Sequence, residues 1–130
     1  MIGLNDDDDD RDPAPIDLLP LPPATFHILL AVAEDERHGY GIIQDVAART
    51  NGSLRLSPGT LYRSIQRMLE QGLLVEVKQR PTTPDDDERR RYYRITPLGR
   101  LVAEAEARRL VQLVDMARAA RFVPEGGSGR

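Results

Sequence analysis

The sequence contains no cysteine and no tryptophan, and its aromatic residues amount to only 5% of the chain. Without thiols, disulfides, Cys-based zinc sites and thiol nucleophiles are all excluded. With so few rings, the core must be small and aliphatic, and small cores often gain stability by dimerising. No apolar run approaches the roughly 18 residues of a membrane-spanning helix. The first residues are acidic where a signal peptide would be basic. A soluble cytoplasmic protein is therefore expected, with one compact domain and tails in its 130 residues. His27 and His38 have no companion ligands at metal spacing, and the flexible acid run Asp6 to Asp10 lacks the ordered geometry of a calcium loop. Neither a metal nor a cofactor is expected.

Charge is present but unevenly placed. The chain carries a formal −3, yet residues 1–17 hold seven aspartates against Arg11, which leaves the remainder at +3. Between 49 and 100 there are eleven basic and six acidic residues, and ten of the eleven are arginines. Arginine suits bidentate contacts to phosphate and guanine. The average acidity therefore hides a basic middle segment that hints at nucleic acid.

Residues 1–20, an aspartate run followed by alternating prolines, read as a disordered acidic tail. Apolar residues at helical spacing predict a first helix over about 24–36 and a second over about 40–50. SLRL at 53–56 alternates like a short strand. Ser57 is a good N-cap, Pro58 fits the first helical position and Gly72 fits the position just past the end, so a third helix spans about 58–71. Its inner face is Leu61, Ile65, Met68 and Leu69. After Gly72 the period changes to two. Leu73, Val75 and Val77 then share one strand face, opposite Glu76 and Lys78. A polar loop and a second alternating run, RRYYRI, complete a β-hairpin in which either Tyr92 or Tyr93 enters the core. Thr96-Pro97 opens a last helix to about 121.

The order helix, helix, short strand, helix, hairpin, long helix is that of a winged helix-turn-helix: a mainly α fold with a small hairpin. Residues 21–96 form the DNA-binding domain, 97–121 a dimerisation helix and 122–130 a flexible tail. A helix fits the major groove, where base edges are distinguishable. The tight connection between the second and third helices presents the N-terminal end of the third. Its outward strip is Thr60, Arg63, Ser64 and Arg67, with Tyr62 and Gln66 beside it. Unpaired N–H groups near Gly59 and Thr60 can receive a phosphate. Lys78, Arg80, Arg89, Arg90 and Arg91 are the cations of the wing. The last helix carries two apolar groups: Leu98, Leu101, Val102 and Ala105, then Leu110, Leu113, Val114 and Ala117. They do not keep one heptad register, which favours packing against several partner helices over a simple coiled coil.

HGYGI at 38–42, LSPGTLYRSIQRMLEQGLL at 56–74 and RRRYYRITPLGR at 89–100 closely resemble the PadR-like transcriptional regulators. The resemblance covers about residues 21–101. It implies a homodimeric regulator, usually a repressor, binding a palindromic operator in double-stranded DNA. The segment Ser57, Pro58, Gly59 onward to Arg67 would start the recognition helix, the 73–95 hairpin would be the wing, and Tyr40 would touch a phosphate. Gly41 stands where members often carry an acid. Some members hold flat drugs against a tryptophan, a mode this chain cannot use; an effector of other chemistry, or none, remains open.

Blander alternatives exist for each feature. Arg67 can pair with Glu70 one turn on, Arg89 to Arg91 can pair with Asp85 to Glu88, and the last helix can fold back on its own domain. The aspartate run can be a solvated tail, or it can compete with DNA for the arginine surface. The alternative function is a winged-helix protein–protein module without DNA binding. An enzyme built on Asp85 to Glu88 would lack a positioned base, so none is expected.

Overall fold

The computed structural model describes residues 15–78 and 91–124. The aspartate run and the expected wing residues Arg80, Arg89 and Arg90 lie outside the described residues.

Helix α1 is Pro23–Ala31, with proline at its start, where a missing N–H costs nothing. It stops well short of residue 36. Arg37 Nε donates to the Ala31 carbonyl at 2.6 Å and Arg100 Nη2 donates to the Ala33 carbonyl at 2.5 Å. Two guanidiniums thus take carbonyls at and just beyond the helix end, and the chain turns away. Arg37–His38 then form β1. The strand expected at 53–56 does not form. The Leu54 N–H donates to Thr50 Oγ1 at 3.0 Å, a local side-chain bond that replaces a strand partner.

Helix α2 is Gly39–Arg49. Gly39 opens this helix rather than closing the one before it, because the His38 Nδ1 accepts the Gly41 N–H at 3.0 Å and acts as N-cap. Helix α3 is Pro58–Glu70, capped by Ser57, whose Oγ accepts the Thr60 N–H at 3.1 Å. Gly72 adopts φ +79°, so the Leu73 N–H can turn back to the Met68 carbonyl at 2.9 Å.

Strands β2 (Leu74–Val77) and β3 (Tyr92–Ile95) are antiparallel, with Leu74 opposite Ile95 and Glu76 opposite Tyr93. β1 adds to the other edge, giving a three-stranded sheet in the order β1-β3-β2. This register keeps Val75 and Val77 on one face, opposite Glu76, and turns the other face inward. Leu74 and Tyr93 are buried and Ile95 packs on the core, while Val75 lies exposed on the opposite face. Leu73 is buried from the turn that precedes the strand. Burial raises the Tyr93 phenol pKa, and the nearby Glu76 carboxylate pushes it the same way.

Helix α4 is Pro97–Ala119, 23 residues and about 34 Å long. Thr96 caps it by accepting the Gly99 N–H at 2.9 Å, and the same hydroxyl donates to the Gly72 carbonyl at 2.6 Å. One side chain therefore joins the end of α3 to the start of α4. Gly99 lies so close to the Leu73 carbonyl that a β-carbon would collide with backbone.

Ile28, Leu29, Ile42, Val46, Leu61, Ile65, Met68, Leu73 and Val102 are the aliphatic core. Each full burial of such a side chain is worth about 1.5–3 kcal/mol. The inner face expected for α3 is the one buried, with Leu69 at its margin. Two boundaries shift. Pro15–Leu18 form a 3-10 turn in contact with α4, and the Leu21 N–H donates to Glu106 at 3.3 Å, so the acidic tail does not extend to residue 20. Val102, placed by sequence in a dimer interface, is wholly buried in its own chain, and Leu98 packs on the same core. Leu101, Leu113 and Val114 are exposed, and so are Val111 and Met116, which the sequence reading left out.

Candidate nucleic-acid interface

The outward face of α3 begins with a relay of hydroxyls. Ser57 Oγ caps the helix and lies 3.1 Å from Thr60 Oγ1, and Arg63 Nη2 donates to Thr60 Oγ1 at 3.5 Å. The Ser57 hydroxyl is taken up by the cap. Gly59, in the first turn, leaves room beside the Arg63 guanidinium: a β-carbon there would meet Nη1 at 3.4 Å. Pro58 and Gly59 are exposed.

Arg63 and Arg67 are exposed, and neither has an acidic partner among the described residues. The alternative pair with Glu70 is not made by Arg67. Glu70 instead accepts from Gln66 Nε2 at 3.2 Å. Gln66 therefore presents an amide whose donor side is partly occupied. With Thr60 and Ser64, the two arginines form one wall of a cleft of about 190 Å³, and Pro22 and Thr25 at the start of α1 form the other. Sequence reading missed both of these, since nothing in the local pattern of residues 22 and 25 says which helix will lie beside them. Arg55, exposed just ahead of α3 and likewise without an acidic partner among the described residues, was also missed.

Two tyrosines extend this surface. Tyr40 stands on the first turn of α2 and is 63% exposed. Tyr62, about half exposed, lays its phenol against Gly39, so that a β-carbon at Gly39 would meet the Tyr62 ring. The glycine of the HGYG motif thus lets α3 approach the start of α2, and Tyr40 and Tyr62 come to neighbouring positions.

On the wing, Lys78 is exposed and Arg91 is exposed with Glu76 at 3.6 Å. Other arginines are committed elsewhere: Arg37 and Arg49 to Asp45, Arg94 to Glu36 at 3.0 Å. A cavity of about 490 Å³ lies between residues 32–36 and 94–97, but there Arg94 is already paired and Arg100 donates to a carbonyl. On α3, Arg63 and Arg67 stand one turn apart with no carboxylate against either among the described residues. Among the described residues, no three His, Asp or Glu side chains gather where a metal could be held, and no helix is long and apolar enough to cross a membrane.

The model of the transcriptional regulator PadR-like family matches residues 28–105. The transcriptional regulator Rv3488 of Mycobacterium tuberculosis is 39% identical over 88 residues, 68% of this chain and 76% of that protein. A transcriptional regulator from Clostridium thermocellum superposes with a TM-score of 0.65 at 23% identity, covering 78% of this chain and 90% of that one. A PadR family regulator from Clostridium difficile R20291 also gives 0.65, at 19% identity, over 75% of this chain and 97% of that one. At these identities the two structures establish the winged-helix fold.

Proposed function

Because the chain belongs to the PadR-like family of transcriptional regulators, we propose that it acts as a homodimeric repressor that binds a palindromic operator. Helix α3 enters the major groove N-terminal end first, with Arg63 and Arg67 directed at base edges or phosphates and Thr60, Ser64, Gln66 and Tyr62 beside them. Tyr40 and the N–H groups at the α3 start contact the backbone, and the hairpin from 73 to 95, with Lys78 and Arg91, lies along the adjacent groove. The observation that carries this is the uncompensated guanidinium pair on an exposed, capped helix.

One helix reads only a few base pairs, so a two-fold pair of α3 helices is needed to read half-sites about one helical turn, roughly 34 Å, apart. The outward face of α4 supplies the dimer contact, through Leu101 and Ala105 in its first half and Leu110, Leu113, Val114 and Ala117 in its second, joined there by Val111 and Met116. An effector that altered the packing of α4 would change the spacing of the two α3 helices and release the DNA.

The test is selection of bound duplexes from random DNA, followed by titration of the selected site. Arg63→Ala and Arg67→Ala should each weaken binding by about 1–3 kcal/mol if they touch base edges. Their folding stability should stay within about 0.5 kcal/mol of the parent, since no ion pair is lost. Wild-type affinity steeply dependent on salt is expected from counterion release. Failure to enrich any duplex, or full affinity retained in both variants, would remove the recognition-helix assignment and favour a protein–protein module.

A further inference from the structure

The cleft beside Arg63 and Arg67 has an unusual second wall. Pro22 and Thr25 line it, and Pro22 is where the N-terminal arm enters the domain. That arm is fixed to α4 on its far side: Pro15–Leu18 contact α4, and the Leu21 N–H donates to the buried Glu106. Upstream of this anchor the sequence holds Asp6 to Asp10 and Asp12. From Pro15 to Pro22 is seven residues, at most about 25 Å, and from Pro15 back to Asp10 and Asp6 is five and nine residues, at most about 18 and 32 Å. The upstream part of the acid run, Asp6 to Asp8, can therefore reach back along the arm to the cleft that Pro22 borders.

Charge and spacing match as well. Arg63 and Arg67 are one helical turn apart, about 6 Å along the axis. In an extended chain alternate side chains lie on one side about 6.6–7 Å apart. Two alternate aspartates of DDDDD can thus face the two guanidiniums at once, and the described part of the molecule offers these arginines no other carboxylate.

We propose that Asp6–Asp10 of the same chain seats in the cleft between the start of α1 and the outward face of α3, pairs with Arg63 and Arg67, and competes there with DNA. The competition rests on the DNA-binding function proposed above; the contact itself does not. The tail then acts as a built-in polyanion. It weakens binding to any duplex and leaves high occupancy only to sites whose base contacts displace it.

The absence of cysteine makes the test direct, because Asn5→Cys in the full chain takes a single nitroxide label. At low salt the label should broaden the amide resonances of Thr25 and of residues 60–67. The broadening should vanish at about 0.5 M salt and in a variant with Asp6 to Asp10 replaced by asparagine. Unbroadened amides there, or broadening confined to other elements, overturn the contact. In parallel, the asparagine variant should bind duplex on the order of tenfold more tightly at low salt and less than about twofold more tightly at high salt. Unchanged affinity overturns the competition. Tighter binding without broadening at residues 60–67 means that the tail repels DNA at a distance, and this also overturns the contact. Broadening in a chain that binds no duplex sinks the DNA-binding function and leaves the tail contact standing.

Discussion

Single residues decide how closely the elements of this fold approach, and Gly99 is the sharpest case. It lies in the first turn of α4, where alanine would ordinarily gain about 1 kcal/mol over glycine. Here a β-carbon would collide with the Leu73 carbonyl, a backbone atom that cannot rotate away. Gly99→Ala should therefore destabilise, by about 2 kcal/mol or more, with the opposite sign from the helix-propensity expectation. Urea unfolding at pH 7 measures it. Glu106 makes a different kind of demand. It is buried, and the hydrogen-bonded Arg109, with bonds of 2.6 and 2.9 Å, holds its carboxyl below the usual range, aided by the Leu21 N–H and opposed by burial. A carboxylate whose pKa is lowered by folding stabilises the native state above its unfolded pKa, near 4.3, and that contribution is lost as pH falls through the folded value. Glu106→Gln should accordingly cost about 1–2 kcal/mol at pH 7, and the difference from the parent should shrink below about pH 4. A difference constant across that range would show that the charge is not what stabilises this contact.

At the level of elements, Thr96 joins two helices through one hydroxyl. It caps α4 and closes on Gly72 at the end of α3. Thr96→Ala should cost about 1–2 kcal/mol, and Thr96→Ser should restore most of it, since only the oxygen is used. Thermal or urea midpoints of the three proteins decide this. Thr96 also shows which parts of the fold were legible in the sequence. Helices α2, α3 and α4 could be placed to within a residue or two because their caps are local: Ser57-Pro58, Thr96-Pro97, and a glycine after α3. The end of α1 was not legible, because the guanidiniums that stop it come from Arg37 and from Arg100, 67 residues away from the carbonyl it binds. β1 escaped notice because two residues cannot display a period, and their strand character comes only from β3 beside them. Which hairpin face turns inward was not legible, because an apolar residue stands at 73, 74, 75 and 77, and only the pairing of Glu76 with Tyr93 settles which alternate set faces the core. The α3 surface was legible as residue types at helical spacing. Its other wall at Pro22 and Thr25 was not, because it arises from the crossing of α1 and α3.

On the scale of the whole molecule, α4 serves two ends. Its first half, through Gly99, Val102 and Glu106, is part of the domain core. Its second half carries Val111, Leu113, Val114 and Met116 on the surface of the single chain, followed by a largely exposed Phe122. A helix that runs past its own core with such a stripe needs a cover, and the proposed two-fold pairing of α4 with a second copy provides one. Leu113→Glu tests this without disturbing the core, because Leu113 is half exposed and absent from the buried cluster. The variant should keep its helical circular dichroism and sediment as a monomer at micromolar concentration, where the parent sediments as a dimer. Binding to a duplex with two half-sites should then fall by roughly a hundredfold, because the second α3 is no longer delivered at high effective concentration. Binding to a duplex with a single half-site should change less than about threefold, because each α3 surface remains intact. Equal losses on both duplexes would mean that Leu113 acts within its own domain, and an unchanged dimer would move the interface elsewhere on the molecule.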